Sequence, residues 1–374
     1  MSSAPQSKAP ASSFSIARVL TLLVLAVVVI VVVLVAKSRQ WEQQAHEKET
    51  TLISQMGIGG STPMQLDPVF TDADGDLIAD PPKDPSKLID PDKIVFSFVG
   101  SDTASEERSN WTDFASFLSK KSGKPVEVVA FKNREDERQA MRDGKLQIAG
   151  FNTGDVPLAV NTCGFVPVCS PGRDDGTIAN YTSQIIVPAG SPLHILQDLK
   201  GKTVVFTDRT SNGGYKAALV LLKDRDLLPQ RDYNCRFSLS YQKSIDGVSS
   251  GQFQAAAVAS DMLQREVANG SADLAKLQVI DQSKTFPPAT LGYVYNLNPD
   301  LAKKIRDAML EFVWTGTGLE KEYAGTRATK FVPVSYKNDF EWVRIVADAV
   351  RDPPDTAIEK DSTDTAQSKA GVAE

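Results

Sequence analysis

The sequence predicts an α/β protein of two similar lobes, joined by hinge segments and preceded by one transmembrane helix. Three observations support this prediction. Residues 19–36 form an apolar run without a charge, strand and helix patterns alternate from Lys93 onward, and the same alternation then occurs a second time. The chain of 374 residues is long enough for two domains of ordinary size.

The composition is that of a globular protein that does not bind nucleic acid. Hydrophobic residues make up 41% of the chain and charged residues 24%, which are ordinary globular values. The net charge of −6 argues against binding through many phosphate contacts. An acidic protein can still bind an anion locally, because a small cluster of backbone N–H groups is enough.

The apolar run near the N-terminus predicts a membrane anchor over residues 18–37, after an N-terminal segment of residues 1–17 that we expect to be disordered and cytoplasmic. As a helix the run would span about 27 Å, close to a bilayer core of roughly 30 Å. A cleaved signal peptide is the alternative, but its apolar core is usually shorter, and no small-x-small cleavage site follows here. Flanking positive charges on both sides do not fix the orientation. We expect a single-pass anchor in the inner (cytoplasmic) membrane, with the C-terminal part in the periplasm or outside the cell.

Residues 38–92 are predicted to form a stalk and an acidic linker, because charged residues are followed by several helix-breaking glycines. Within the linker, carboxylates occupy relative positions 1, 3, 5 and 9 around a turn glycine, as in the first part of a calcium loop. The twelfth position is Lys83, where a bidentate Glu is expected. The alternative is an acidic, solvated turn. The candidate metal ligands are Asp72, Asp74, Asp76 and Asp80.

The first lobe is predicted over residues 93–184 and 290–350. Strand patterns at residues 94–99, 126–131 and 146–151 are separated by two helical patterns, which is the unit of a parallel sheet. The second lobe, residues 185–289, repeats this order with strands at 203–206, 236–240 and 255–258. Residues 178–188 and 285–295 would cross between the lobes. After residue 350 the tail, residues 351–374, is polar and expected to be disordered.

The turn after the strand at 203–206 is the strongest candidate for a binding site. It holds Ser211, Asn212, Gly213 and Gly214 at the start of a helix. A helix start leaves backbone N–H groups without internal partners, and glycines let a ligand come close, so the turn is a candidate anion site. The alternative is an ordinary strand-to-helix loop in which Ser or Asn caps the helix.

The chain has three cysteines. Cys163 and Cys169 bracket a short predicted loop, so they are either a disulfide, in an oxidising compartment, or two unpaired buried thiols. Cys235 opens a strand-like run and is expected to be a buried thiol.

From about Lys93 to Val350 the chain resembles the phosphate, phosphite and phosphonate substrate-binding proteins of ABC uptake systems. The resemblance rests on the order and spacing of five segments, which are Lys124–Val126, Asp143–Ala149, Asp198–Val204, Ser211–Tyr215 and Ala255–Asp261. It implies a type II periplasmic-binding-protein fold that closes on a small anionic ligand by a hinge. It also implies an ABC permease as partner, a monomeric binding domain and no cofactor beyond the candidate calcium ion.

The resemblance also assigns candidate ligand-binding residues. The family's Ser/Thr-rich turn holds the oxyanion, and here its usual Ser-Thr-Ser-Gly character has become Ser211-Asn212-Gly213-Gly214. The further candidates are Thr153, Gly154, Trp111, Tyr215, Tyr241, Ser260 and Asp261. Four of them have structural alternatives: Trp111 as core, Tyr215 as packing between helix and sheet, Tyr241 as packing, and Asp261 as a helix cap.

Catalysis is not expected. The chain has only two histidines, His46 in the stalk and His194 in a loop, and no nucleophile elbow, Walker loop or metal-binding HExxH motif. The sequence therefore predicts a membrane-tethered solute-binding protein that captures a phosphonate, phosphite or phosphate for an ABC-type importer. The alternative is a membrane-anchored sensor or interaction protein that reuses the same fold.

Overall fold

The computed structural model describes residues 30–35, 37, 39, 64–98, 105–131 and 133–350. The chain divides into two compact units, Met1–Leu52 and Ile53–Glu374. In the first unit, residues 30–35 are helical and exposed. Most of the predicted anchor, the N-terminal segment and the C-terminal tail lie outside the described residues. Among the residues that the structure describes, no helix is both long and apolar enough to cross a membrane.

The second unit contains eleven described strands in two sheets. They are β1 Ile94–Ser97, β2 Val126–Val129, β3 Ile148–Phe151, β4 Phe165–Gly172, β5 Tyr181–Pro188, β6 Thr203–Phe206, β7 Asn234–Phe237, β8 Ala255–Ala259, β9 Leu277–Phe286, β10 Thr290–Val294 and β11 Lys330–Pro333. The first lobe has the six-stranded sheet, in the order β11-β4-β10-β3-β1-β2, and the second lobe the five-stranded sheet, in the order β7-β6-β8-β5-β9.

Eleven α-helices of the second unit are described, and most of them cover these sheets. They are α1 Ser105–Asn110, α2 Thr112–Ser122, α3 Arg134–Arg142, α4 Val156–Cys163, α5 Ala217–Lys223, α6 Tyr241–Ser249, α7 Ser260–Ala268, α8 Pro299–Glu311, α9 Gly318–Glu322, α10 Tyr336–Asp339 and α11 Glu341–Ala349. Short 3₁₀ turns lie at Pro85–Lys87, Thr153–Asp155, Leu196–Leu199 and Leu274–Lys276, and a π-helical turn at Asn212–Lys216.

The predicted alternation of strand and helix is present in both lobes. In the first lobe β1 pairs in parallel with β2 and β3, and in the second β6 pairs in parallel with β7 and β8. Local signals set the helix ends. Asn133 caps α3 by accepting from the Asp136 N–H at 2.8 Å, and α2 ends at Gly123, whose φ of 76° is the left-handed value favoured at this position.

The lobes are joined by two segments, residues 173–180 between β4 and β5 and residues 287–289 between β9 and β10. β5 pairs with β8 and β9 of the second lobe. Strand pairing therefore places the boundary before Tyr181, a few residues earlier than predicted. Trp111 and Phe114 belong to a core of the first lobe that also includes Tyr181 and Ala259 of the second lobe. Phe206 and Tyr215 belong to a separate core in the second lobe.

The described part of the predicted linker packs along the first lobe. The Asp67 N–H donates to the Asn161 carbonyl at 2.9 Å, and the Asp67 carboxylate pairs with Arg142 at 2.8 Å. The Phe70 ring lies edge-on to Tyr295 with a centroid distance of 4.8 Å. Residues 64–92 are thus an ordered strap on this lobe rather than a free stalk.

The predicted disulfide is not formed. Cys163 and Cys169 are both free and buried. Cys163 closes α4, where its thiol donates to the Ala159 carbonyl at 3.0 Å, whereas Cys169 lies inside β4. The segment between them is therefore mostly strand instead of the short loop that the sequence suggested. Burial raises the pKa of the Cys163 thiol to about 12, and it also raises the pKa of Cys169.

Candidate functional site

The turn after β6 is built by its own side chains. The Asp208 carboxylate accepts from the Thr210 N–H at 2.8 Å and the Ser211 N–H at 3.0 Å. The Ser211 hydroxyl accepts from the Gly214 N–H at 3.0 Å, which makes Ser211 the cap of the π-helical turn. The first amides of a helical turn lack internal acceptors. Because three amides of the loop are already bonded, those of Asn212 and Gly213 are the donors best placed for a ligand.

The two glycines of the turn make room for protein atoms. A Cβ atom on Gly213 would lie 2.7 Å from Ala259 Cβ and 3.0 Å from Tyr181 Cε2. A Cβ atom on Gly214 would overlap the side chain of Thr207. The space that we expected to admit a ligand is thus filled by β8, β5 and the segment after β6, and the glycines let the turn pack closely against them.

The turn of the second lobe lies directly against the first lobe. Gly154, in the 3₁₀ turn after β3, is so close that a Cβ atom there would lie 3.2 Å from the Thr210 carbonyl and 3.4 Å from Asn212 Cβ. The neighbouring Thr153 hydroxyl donates to the Pro287 carbonyl of the hinge at 2.8 Å. The predicted candidates Thr153, Gly154 and Asn212 therefore meet at one place, between the lobes and beside the hinge.

Two tyrosines complete this cluster. The Asn212 side-chain amide donates to the Tyr181 hydroxyl at 2.9 Å, and the Ser211 and Tyr241 hydroxyls are hydrogen-bonded at 2.7 Å. Burial raises the pKa of both tyrosines, so both keep their protons at neutral pH. Tyr241 was predicted from its position near a strand end, whereas Tyr181 was missed, since its contact depends on how β5 pairs after the hinge.

Asn212 has an unused acceptor. Its side chain is 6% exposed, and within the described residues its carbonyl oxygen has no hydrogen-bond partner. A buried acceptor without a partner costs free energy. The site therefore offers an acceptor beside its amide donors, which suits a ligand that itself carries an O–H or N–H group.

Ser260 and Asp261 lie at the N-terminus of α7, after β8. The Ser260 hydroxyl accepts from the Thr182 N–H at 3.0 Å. The position before α7 is Ala259, which offers no side-chain cap. Asp261 lies inside the first turn, so it is not the N-cap residue that the alternative proposed. Burial raises the pKa of its carboxyl group to about 6. The environment of Asp261 thus favours the protonated form more than water does.

A cavity of about 210 Å³ lies on the α7 side of β5. Ser260 and Asp261 line it, while the turn at Ser211–Gly214 does not. Its other walls are the hinge segments and residues 323–328, which precede β11 of the first lobe. Open space between the lobes thus lies at the start of α7 rather than at the predicted turn.

Trp111 and Tyr215, which were candidates for ligand binding, are core residues in the structure. Trp111 is 1% exposed and stacks on Phe98 with a centroid distance of 6.1 Å. Tyr215 is 0% exposed and lies edge-on to Phe206 at 5.3 Å. Apolar neighbours surround both side chains. This matches the alternatives given above, in which Trp111 is a core residue and Tyr215 packs between helix and sheet.

The ion pair of Arg134 with Asp155, beside the site, was not predicted from the sequence. Arg134, the first residue of α3, forms an ion pair with Asp155, a residue that is 1% exposed. Asp155 directly follows Gly154, so the pair lies at the same edge of the first sheet as the Thr153 turn. The two residues are 21 positions apart in the chain, and no local signal joins them.

The acidic loop of the linker has the compact form that its spacing predicts. Carboxylate oxygens of Asp72, Asp74 and Asp76 lie within 4.8 Å of one another. Gly75 adopts a φ of 72° at the turn. Asp80 lies outside this group, and its carboxylate closes the loop by accepting from the Ala73 N–H at 2.8 Å. Burial, with the neighbouring carboxylates, raises the pKa of Asp76. Three oxygen ligands at one place suit a hard cation such as Ca²⁺.

Comparison with known proteins gives similar folds and one family. A phosphonates-binding periplasmic protein of Escherichia coli is 22% identical over 223 residues, which cover 59% of this chain and 66% of that protein. A Xanthomonas citri protein solved with a bound chloride ion is 15% identical with a TM-score of 0.59, and the match covers 70% of this chain and 99% of that one. PhnD1 from Prochlorococcus marinus, solved with methylphosphonate, is 15% identical with a TM-score of 0.57, over 69% of this chain and 98% of that one.

At these identities the solved structures establish the fold alone, a two-sheet α/β fold of the periplasmic-binding-protein type. The family assignment comes from the sequence. Residues 96–340 match the family described as ABC transporter, phosphonate, periplasmic substrate-binding protein, which is a family of binding proteins rather than enzymes. Since that match spans more than half of the chain, this protein belongs to the phosphonate-type periplasmic substrate-binding proteins of ABC transporters.

Proposed function

We propose that this protein is a membrane-tethered solute-binding protein that captures a small phosphorus oxyanion (a phosphonate, phosphite or phosphate) for an ABC-type importer. One observation supports this most strongly. Polar groups from the first lobe, the second lobe and the hinge converge where Gly154 meets Asn212 and Thr153 meets Pro287. A ligand bound at that point would contact both lobes at once, as hinge closure requires.

The polar groups of this site suit an oxyanion. Backbone amides of Asn212 and Gly213 and hydroxyls such as that of Ser211 are donors, and hydrogen bonds to an ionised acceptor are the stronger kind. Tyr241 adds a hydroxyl that stays protonated. Asp261 and the Asn212 side-chain oxygen would accept from a protonated oxygen or an amine of the ligand.

Binding would require the turn to move. Gly154 lies against Asn212, and Asn212 is 6% exposed, so the lobes must separate slightly to admit an anion. A hinge of two short segments allows such a motion. The closed, loaded form is what an ABC permease would distinguish from the open form, and a single binding domain is sufficient for that.

Ligand screening with the full chain in detergent tests the proposal. We expect phosphate, phosphite, methylphosphonate or 2-aminoethylphosphonate to raise the unfolding temperature, because a ligand that binds only the folded state stabilises it. The double variant Ser211→Ala, Asn212→Ala should weaken that binding about tenfold or more. As a matched control, Ser86→Ala with Asn296→Ala alters the same residue types in the linker and before α8. No stabilisation by any of the four at millimolar concentration would refute this ligand class.

The membrane tether rests on the apolar run of residues 19–36. We expect the full chain to fractionate with membranes and to resist extraction by high salt and alkali, since about 18 apolar residues can span most of a bilayer core. A chain that starts at residue 38 should be found in the soluble fraction. Recovery of the full chain in the soluble fraction, shortened at its N-terminus, would instead identify a cleaved signal peptide.

A further inference from the structure

The cavity on the α7 side of β5, here named the hinge cavity, has walls from both lobes. One wall is the start of α7, with Ser260 and Asp261, and the opposite wall is the segment Tyr323–Ala328 of the first lobe. The hinge closes the third side, with Arg173 and Asn180. A space bounded by both lobes and the hinge changes its shape when the lobes move.

Close packing holds the two walls together. Gly325, with a φ of 81°, approaches α7 so closely that a Cβ atom on it would overlap Ala268 and lie 3.3 Å from Arg265 Cα. Beside it, Arg265 and Glu322 form an ion pair at 3.6 Å. In this conformation the segment of the first lobe thus packs directly on α7, and both lobes form walls of the hinge cavity.

The charged side chains that line this cavity sum to a positive charge, opposite in sign to that of the whole chain. Its lining has two cationic side chains, Arg173 and Arg327, and one acidic side chain, Asp261, whereas the chain has a net charge of −6. The other lining groups are neutral, several of them amides such as Gln184 and Gln282. A locally cationic, hydrogen-bonding space in an acidic protein favours an anionic guest.

The two arginines differ in how they are held. The Arg173 guanidinium donates to the Thr177 hydroxyl at 3.2 Å and the Ile178 carbonyl at 3.3 Å, so the hinge positions it. The Arg327 guanidinium makes no hydrogen bond or ion pair with any residue that the structure describes. An arginine that lines a cavity without a protein partner is available to a carboxylate, which it binds in bidentate geometry.

The cavity is large enough for a substituent but not for a large ligand. Its 210 Å³ is smaller than the roughly 300–1,000 Å³ of drug-sized sites. Asp261, whose charge also acts on Tyr181 and Tyr241, lies between this space and the cluster around Asn212. A ligand that enters when the lobes separate would extend past Asp261 from that cluster into the cavity.

We propose that the hinge cavity holds the organic substituent of the ligand, and that Arg173 and Arg327 select a substituent that ends in a second anion, so that the ligand class is the phosphonocarboxylates. This inference rests on the proposed function, in which the phosphonate group occupies the cluster around Asn212. Asp261 would then face the phosphonate group and accept from its protonated oxygen.

The test compares ligands that differ mainly at the far end. Affinities of the full chain in detergent are measured for 3-phosphonopropionate, 2-aminoethylphosphonate and methylphosphonate, which carry a carboxylate, an ammonium and no charge there. We expect 3-phosphonopropionate to bind at least about fivefold more tightly than the other two, as one added charge-assisted contact allows. Tighter binding of 2-aminoethylphosphonate by the wild-type chain would overturn the inference, because Asp261 would then be the dominant charge.

Variants of Arg327 test whether the preference for 3-phosphonopropionate depends on the hinge cavity. Arg327→Ala should remove the preference for 3-phosphonopropionate while leaving the affinity for methylphosphonate within about twofold, and Arg327→Glu should reverse the preference toward 2-aminoethylphosphonate. Folding should be unaffected, because this exposed side chain has no partner among the described residues. Arg306→Ala, an exposed arginine on α8 of the same lobe, is the matched control for the lost charge.

The outcomes separate this inference from the proposed function. If methylphosphonate binds but Arg327→Ala leaves the order of the three ligands unchanged, the inference is refuted and the proposed function stands. If none of the three ligands, nor phosphite, nor phosphate binds the wild-type chain, both are refuted. A preference lost in Arg327→Ala but kept in Arg306→Ala supports the inference.

Discussion

The side-chain amide of Asn212 donates a hydrogen bond of 2.9 Å to the hydroxyl of Tyr181. Tyr181 is the first residue of β5, immediately after the hinge, and Asn212 begins the π-helical turn after β6. This bond ties the candidate oxyanion turn to the strand that receives the hinge. With the Ser183 hydroxyl, which donates to the Gly213 carbonyl, this bond fixes the turn to β5 within the second lobe.

Tyr181→Phe tests that link. The substitution leaves the buried Asn212 amide without its acceptor, so we expect the free energy of unfolding to fall by about 1–2 kcal/mol. In the Asn212→Ala background the same substitution should cost less, with a coupling of about 0.5–1.5 kcal/mol in a double-mutant cycle from urea unfolding. Additive effects of the two substitutions would show that the bond contributes nothing to stability.

Gly213 stands where the family's turn usually has a serine, and a serine at this position would not fit the packing of the turn. In Gly213→Ser, the new Cβ atom would lie 2.7 Å from Ala259 Cβ, so we expect a loss of about 1–3 kcal/mol in the free energy of unfolding, as for other overpacked sites. Gly213→Ala, which adds the Cβ atom without a hydroxyl, is the comparison and should cost about as much, because the Cβ atom makes the overlap. Urea unfolding measures both variants, and an unchanged stability of Gly213→Ala would contradict the packing role of Gly213.

The pKa of Asp261 predicts a pH dependence of stability. Burial raises this pKa from 3.8 to about 6, so between these pH values the folded chain binds a proton that the unfolded chain has released. The free energy of unfolding therefore falls as the pH rises through this window, by up to about 3 kcal/mol from this group. Below pH 3.8 both states are protonated and the contribution is constant.

The variant Asp261→Asn isolates this group from the other carboxyls. Its side chain is neutral at every pH, so its stability relative to the wild-type chain should increase as the pH rises from about 4 to 7. Unfolding temperatures at closely spaced pH values measure that difference. A difference that does not change with pH would mean that Asp261 titrates normally in the folded protein.

The free thiols predict an insensitivity to reduction. Cys163 and Cys169 are buried and unpaired, and burial raises the pKa of each thiol, so neither is a reactive thiolate at neutral pH. We expect that a reductant leaves the unfolding temperature unchanged and that a thiol reagent reacts with Cys163 and Cys169 only after denaturation. A lower unfolding temperature in reductant would show that a disulfide forms after all.

The order of strands and helices was predictable from the sequence because it depends on local hydrophobic patterns. Strand β4 was not predicted. Its Pro167 is a strand breaker within most sheets. In the structure Pro167 lies opposite Gly292, where the pairing of β4 with β10 shifts its register, and such irregularities are where a sheet tolerates proline. The sequence around Cys163 and Cys169 therefore indicated a loop where a strand forms.

The site was predictable as far as it follows strand ends. Ser211, Thr153 and Asp261 each follow a strand, and the ends of parallel strands meet at one edge of a sheet. Tyr181 and Arg327 could not be found this way. The contact of Tyr181 depends on how a strand pairs after the hinge. Arg327 belongs to a segment far along the chain that reaches the hinge cavity only in the complete tertiary structure.

The linker loop provides the final prediction, which is that it binds Ca²⁺ weakly. Asp72, Asp74 and Asp76 lie within 4.8 Å of one another, but Lys83 holds the position where calcium loops carry a bidentate Glu, so we expect a dissociation constant in the range of about 0.1–1 mM.

At about ten times its dissociation constant, Ca²⁺ should stabilise the strap by about 1.4 kcal/mol. Terbium luminescence of the full chain, displaced by added Ca²⁺, measures the affinity, and Asp74→Asn should weaken it about tenfold. Asp84→Asn, one position after Lys83, is the control and should leave the affinity unchanged. If Asp74→Asn and the wild-type chain bind terbium equally, the loop is an acidic turn stabilised by its own amide hydrogen bonds, such as those of Gly75 and Asp76 to the Asp72 carboxylate.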